Sequence, residues 1–152
     1  MNRIAMSVVE HLALERVFLL DARMEKASVL DRLVRALPYA KPQTAYNAVM
    51  AREKLGSTVI APGLAIPHAR LVDVPEIQAA LGLSRAGISD NAAGGGVHVF
   101  LLFIGPANYM KKNLDFLASA AALFQDEGLL DALKLCETPA AALALLSEAE
   151  KR

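Results

Sequence analysis

The sequence has one cysteine, no tryptophan, few aromatic residues and no net charge: 16 Lys+Arg balance 16 Asp+Glu over 152 residues. A lone cysteine, Cys136, makes neither an internal disulfide nor a thiolate-only metal site, so the fold does not depend on an oxidising compartment. With no histidine beside it in sequence, Cys136 reads as a small buried apolar residue rather than a nucleophile. Balanced charge removes the overall basic footprint of a dedicated nucleic-acid or anionic-membrane binder, and neither partner is expected. Long apolar runs are also missing. The longest, Val97 to Ile104 with His98 inside it, falls far short of the ~20 residues that span a bilayer as a helix. Glu10, His11, Glu15 and Arg16 interrupt the apolar N-terminal stretch before a signal-peptide core can form. A cytoplasmic protein with no membrane insertion is the expectation.

What is present describes a globular chain. Hydrophobic residues make up 55% and charged residues 21%, the opposite of the low-hydropathy, high-charge signature of disorder. The length suits one domain, taken as 1–152. Val17-Phe18-Leu19-Leu20, bounded by charge, reads as a buried first strand. Ala27, Leu30, Leu33, Val34 and Leu37 share one face of a helix that Pro38 stops, and Pro42 opens a second helix over 42–54 that Gly56 caps. Ser57-Thr58-Val59-Ile60 and Leu64-Ala65-Ile66-Pro67-His68-Ala69-Arg70 read as short extended pieces around the turn Ala61-Pro62-Gly63. Ile77 to Ser84 and Val97 to Ile104 have the composition of interior strands. The glycines at 94–96 between them form a loop, and because a strand rather than a helix follows, they do not form a phosphate cradle. Leu114, Leu117, Ala121 and Phe124 recur at helical spacing, another helix starts near Asp126, and Thr138-Pro139 starts a last one holding Leu143, Leu145 and Leu146. Strands interspersed with helices predict an α/β domain, a mixed sheet of about five strands flanked by helices on both faces.

Three histidines are candidates for chemistry: His11, His68 and His98. His68 follows Pro67, which fixes its own φ and restricts Ile66, while Gly63 permits backbone closed to other residues; the imidazole thus sits on a rigid turn. A neutral imidazole is a nucleophile toward phosphorus, and Arg70, two residues on, supplies guanidinium donors for phosphoryl oxygens. On spacing alone, a loop histidine with no role is an equally good reading. His98 reads first as a packed or hydrogen-bonded residue at the sheet end and second as a catalytic neighbour. His11 reads as structural. A metal-dependent hydrolase using His68, His98 and Asp73 has no ligand spacing in its favour, and neither metal nor cofactor is expected.

The run Gly56-Ser57-Thr58-Val59-Ile60-Ala61-Pro62-Gly63-Leu64-Ala65-Ile66-Pro67-His68-Ala69-Arg70 resembles the active-site segment of enzyme IIA proteins of the fructose/mannitol/nitrogen-regulatory class, part of the bacterial phosphoenolpyruvate-dependent phosphotransferase system. Glu25-Lys26 ahead of Val29-Leu30, Arg52-Glu53 before the Gly-Ser-Thr turn, and Val97-His98-Val99-Phe100-Leu101-Leu102 extend the resemblance over about 15–148. It implies that His68 accepts a phosphoryl group from a histidine phosphocarrier protein of the HPr or NPr kind. The group then passes to a permease domain or serves as a regulatory mark. Such a protein is a phosphohistidine carrier rather than a stand-alone multiple-turnover enzyme. Arg70 is the matching basic residue, and Ser57 and Thr58 either donate to phosphoryl oxygens or cap the turn. The sequence departs from the family at Asn113, in Lys112-Asn113-Leu114-Asp115-Phe116-Leu117, where a second histidine is expected. Asparagine hydrogen-bonds but neither becomes cationic near neutral pH nor shuttles a proton. Ala61-Pro62-Gly63 departs from the commoner Gly-x-Gly. Lys111 and Lys112 are candidates for steering an anionic donor, or a solvated pair. The weakened onward transfer points toward a nitrogen-regulatory type; the alternatives are a sugar-specific IIA serving a separate permease, and a regulatory binding module without onward transfer.

Overall fold

The computed structural model describes residues 6–21, 23–90 and 95–152, apart from the side chain of residue 127. Six strands form one mixed sheet: β1 (Val17–Leu19), β2 (Val59–Ala61), β3 (Leu64–Ala65), β4 (His68–Leu71), β5 (Gln78–Ile88) and β6 (Val97–Pro106). The strand order is β1-β5-β6-β3-β2, with β4 also paired to β6. The sequence reading of about five strands rises to six because Ile66-Pro67 splits one extended stretch in two. Proline has no N–H for the ladder, so pairing with β6 stops after Ala65↔Phe100 and resumes, still parallel, at His68↔Phe103. The long antiparallel pair β5–β6 is the centre of the sheet. Its strands are buried on both faces, which explains their near-continuous apolar sequences.

Five α-helices cover the sheet: α1 (Lys26–Arg35), α2 (Pro42–Leu55), α3 (Met110–Leu123), α4 (Glu127–Lys134) and α5 (Pro139–Lys151). Val29, Leu30, Leu33 and Val34 of α1, with Ala45 and Val49 of α2, pack on one face against Phe100, Leu102 and Ile104. Phe116, Ala120 and Leu123 of α3, with α4 and α5, pack on the other against Val99, Leu101 and Phe103. The i, i+3, i+4 spacing of each set buries one helical stripe. The caps follow the sequence: Asp126 accepts from the Leu129 N–H at 3.3 Å, and Thr138 from the Ala141 N–H at 3.1 Å. The stripe predicted for α3 differs from the observed one. Leu114 is 57% exposed and lines a cavity instead of the core, whereas Leu117 and Phe124 pack with the core as expected; Asn113, Phe116, Ala120 and Leu123 complete the inward face. Of the predicted glycine loop at 94–96, residue 94 lies outside the described residues, and Gly96 takes φ +101° just before β6.

No helix among the described residues is long and apolar enough to cross a membrane. Cys136 is a partly buried free thiol that packs beside the core, and burial raises its pKa above the ordinary thiol value.

Candidate functional site

β4 pairs only with β6 and lies where the two helical layers meet. There α2, β4, β6 and α3 enclose a cavity of about 560 Å³ whose polar side chains are Arg52, His68, Arg70 and Asn113. Apolar residues make up the rest of its wall, among them Ala48, Leu55, Phe103, Leu114 and Leu117.

His68 is fixed on several sides. The Ile66 N–H donates to the Thr58 carbonyl at 2.9 Å, and the Phe103 N–H donates to the Pro67 carbonyl at 3.0 Å. These bonds pin the two residues before the histidine to neighbouring strands. The ring stacks on Phe103, with centroids 5.1 Å apart and planes 8° from parallel. Phe103 in turn meets Phe116 edge-on at 4.7 Å. His68 Nδ1 lies 2.8 Å from the Ile66 carbonyl. A carbonyl only accepts, so Nδ1 carries the proton and Nε2 keeps its lone pair.

Electrostatics favour the same neutral form. Burial, reinforced by Arg52 and Arg70, holds the His68 pKa below its ordinary 6.5, against the opposing pull of the Ile66 hydrogen bond and of Glu53. The sign gives a prediction. On the expectation that the neutral His68 ring is the nucleophile, the rate of phosphoryl acceptance is expected to be flat through neutral pH and to fall only as pH drops through the depressed pKa. A pH-rate profile with its midpoint at or above 6.5 contradicts this electrostatic account.

Two arginines reach the cavity. Arg70, two residues beyond His68 on β4, donates from Nη1 to Met110 Sδ at 2.8 Å. Sulfur is a weak acceptor, so the contact orients the guanidinium and yields easily to an anion. Arg52 enters from the last turns of α2 and donates to the Gly56 carbonyl at 2.9 Å. Sequence reasoning noted Arg52 as part of a resemblance but gave it no role. The missed signal is its helical spacing: Ala48 and Leu55 stand four before and three after it, placing one arginine on a small apolar face just ahead of the histidine motif.

Asn113 lines the cavity but is spent on local structure. Its Nδ2 donates to the carbonyls of Pro106 and Tyr109, both at 2.9 Å, while Oδ1 is buried without a partner. In this arrangement it offers a bound anion a lone pair rather than a donor.

The remaining candidates stand away from the cavity. Ser57 Oγ accepts from the Val59 N–H at 3.0 Å, capping its turn. Thr58 is buried and donates to Glu53 at 2.5 Å. Gly63 takes φ +81°, a conformation L side chains rarely adopt, and its carbonyl receives the N–H groups of His98 and Val99. His98 sits at the other end of β6 from Phe103, its Nδ1 2.9 Å from the Ser84 carbonyl. His11 meets Phe116 edge-on and bonds the Ser7 carbonyl. Lys111 pairs with Asp115, and Lys112 lies over the Tyr109 ring. Neither His98 nor Asp73 lines the cavity, and no three His, Cys, Asp or Glu side chains among the described residues converge as a metal site.

Comparison with solved structures places this architecture among phosphotransferase-system IIA proteins. The nitrogen regulatory protein IIA-Ntr of Neisseria meningitidis superposes with a TM-score of 0.83 at 24% identity, over 91% of this chain and 98% of that one. IIA mannitol of Escherichia coli superposes at 0.74 and 18% identity, over 89% and 98%. In a further neighbour, at 0.75 and 18% identity over 90% and 97%, E. coli IIA mannitol is in complex with phosphorylated enzyme IIB mannitol. In sequence, the chain is 32% identical over 111 residues to the nitrogen regulatory protein of Pseudomonas aeruginosa, 72% of each. It is 26% identical over 151 residues to the fructose-specific EIIABC component of Bacillus subtilis, covering 96% of this chain but 24% of that protein. The family model for EIIA 2 of the phosphoenolpyruvate-dependent sugar phosphotransferase system matches residues 10–149, and the chain belongs to that family.

Proposed function

We propose that the chain is a cytoplasmic phosphohistidine carrier of the nitrogen-regulatory type, phosphorylated on His68 by an HPr- or NPr-like phosphocarrier. The observation that carries this reading is a neutral imidazole, bonded at Nδ1 with Nε2 left free, in an apolar cavity beside two arginines. The Nε2 lone pair attacks the phosphorus of the donor's phosphohistidine. A bond from Nε2 to phosphorus forms as the donor's nitrogen–phosphorus bond breaks, and the donor ring departs with that electron pair. The proton stays on Nδ1, donated to the Ile66 carbonyl. Arg52 and Arg70 meet the phosphoryl oxygens, whose negative charge the protein otherwise leaves uncompensated; positioning and charge stabilisation carry such a transfer.

The cavity rim suits a protein donor. Leu55, Tyr109, Met110 and Leu114 are exposed around it, an apolar collar able to dock a partner's surface and exclude water from the transfer. The nitrogen-regulatory assignment draws on the likeness to the Pseudomonas protein and on Asn113, which neither titrates nor has a free donor for onward transfer. A second reading, a sugar-specific IIA that passes phosphate to a permease domain, draws on the likeness to the fructose-specific component.

The test is intact-mass analysis of wild type and His68→Ala after incubation with phosphoenolpyruvate, the general phosphotransferase enzyme and a phosphocarrier, kept away from acid. One acid-labile phosphoryl group on wild type alone is expected. Failure with every cognate carrier overturns the carrier reading and leaves a binding module. Rapid passage of the group to a fructose- or mannitol-type IIB domain selects the sugar-specific reading over the regulatory one.

A further inference from the structure

Behind the histidine lies a buried ionic cluster that the proposed transfer does not use directly. Lys26, the first residue of α1, places Nζ 2.5 Å from Glu53 Oε1 and 2.8 Å from Asp90 Oδ2. The Glu53 and Asp90 side chains are only 8% and 5% exposed, and that of Lys26 27%. Burial pulls the Lys26 pKa down, but the hydrogen bonds to Asp90 and Glu53 outweigh it and hold the ammonium above its ordinary range. The two carboxylates, so little exposed, hold the lysine in one geometry, because slackening would leave them poorly solvated.

The cluster is joined to His68 by consecutive hydrogen bonds. Glu53 Oε2 accepts from the Thr58 hydroxyl. The Thr58 carbonyl accepts from the Ile66 N–H, and the Ile66 carbonyl accepts from His68 Nδ1. Glu53 also follows Arg52 directly, and the Arg52 guanidinium closes the same turn by donating to Gly56. One grip therefore bears on both the nucleophile and the arginine beside it.

We propose that Lys26 is a positioning residue for phosphoryl acceptance: by holding Glu53, it fixes the α2-to-β2 turn that carries Arg52 and the hydrogen-bonded path from which the His68 ring hangs. Lys26 touches neither His68 nor the cavity wall; it acts through Glu53 and Thr58. The proposal rests on His68 being the phosphoacceptor. A misplacement of about 1 Å in such a site costs up to ~10²-fold in rate, so the expected effect is on the transfer step rather than on donor binding.

The experiment measures single-turnover phosphorylation of the full chain by phosphorylated phosphocarrier over a range of donor concentrations. Lys26→Met is expected to lower the limiting rate about tenfold or more with the half-saturating donor concentration unchanged, and Lys26→Arg to restore most of it. Thr58→Val, which removes one hydroxyl and no charge, reproduces the loss, and it decides the matter if Lys26→Met does not fold. A wild-type limiting rate in folded Lys26→Met, or in Thr58→Val, overturns the proposal. A parallel arm needs no donor. Arg52, Glu53 and Arg70 are the charged groups that bear on His68, and Glu53 alone of these raises its pKa. Glu53→Gln is therefore expected to lower the His68 titration midpoint read by NMR, and an unmoved midpoint removes Glu53, and with it the link from Lys26, from the site. If wild type itself takes no phosphate, the carrier reading fails, while the titration still reports whether the cluster reaches the histidine.

Discussion

Arg52→Ala is expected to slow phosphoryl acceptance at His68 by about 10²-fold or more, the usual cost of removing one preorganised donor aimed at developing charge. Its guanidinium lines the cavity beside the imidazole and is held by a single bond to the Gly56 carbonyl, so it is both near the phosphoryl position and already oriented. Arg52→Lys keeps the charge but loses the planar fork, and is expected to recover only part of the rate. The same substitution to alanine moves the ring in a defined direction. Arg52 depresses the His68 pKa, so its removal raises the midpoint toward 6.5. Rate and titration are read on one sample, by single-turnover phosphorylation and NMR. A wild-type rate with an unshifted midpoint takes Arg52 out of the mechanism.

The largest stability effect is expected at Gly105, on the cavity side of β6. A Cβ built there would stand 1.8 Å from Asn113 Oδ1 and 2.7 Å from its Cγ. No rotation of a surface side chain relieves this contact, because the Asn113 amide is buried and bonded to Pro106 and Tyr109. Gly105→Ala must therefore expel the amide and break both bonds. Overpacking alone costs ~1–3 kcal/mol, and a buried polar group left without partners costs ~1–3 kcal/mol more, so a loss of about 3 kcal/mol or more is expected in denaturant unfolding. Gly105→Ala combined with Asn113→Ala removes the clash and is expected to recover much of the loss. A single mutant that unfolds at the wild-type midpoint shows that Asn113 does not occupy this slot.

Periodicity made the helices legible. In α1 the apolar spacing from Ala27 to Leu37 matches the face buried against the sheet, and Asp126 and Thr138 cap α4 and α5 as their side chains allow. The sheet was legible in composition but not in count: six strands form where about five were expected, because a proline in an extended run interrupts hydrogen bonding without ending the direction of the chain. The α3 stripe was legible at Phe124 but misread at Leu114, which is exposed at the cavity. Leu114 and Leu117 have the right spacing for a core face, but a helix bordering a cavity carries apolar residues on a second face as well, and hydrophobicity alone does not distinguish a wall from a core. Within the site, the rigid turn at Pro67-His68 announced itself in the local sequence. Arg52 did not, because its proximity to His68 is set by α2 packing on β4, a contact between segments sixteen residues apart that no local pattern encodes. The commitments of Asn113 were equally hidden: both its acceptors are backbone carbonyls, and backbone carbonyls have no signature in a sequence.

The N-terminal segment is tied to the last helix. Ser7 Oγ donates to Glu150 Oε1 at 2.8 Å, and the backbone N–H groups of Val8 and Val9 donate to Glu150 Oε2. Residues near opposite ends of the sequence thus meet at one place, while the cavity opens at the free edge of the sheet, lined by α2, β4, β6 and α3. Such a layout is portable. A short Gly/Ser tether in place of residues 1–5 can join Met6 to the last helix, and new ends can be opened at the exposed turn around Val72, which is not part of the cavity lining. The unit can equally be spliced into a larger polypeptide with both junctions side by side, so its attachment to other modules is free to change independently of the cavity around His68.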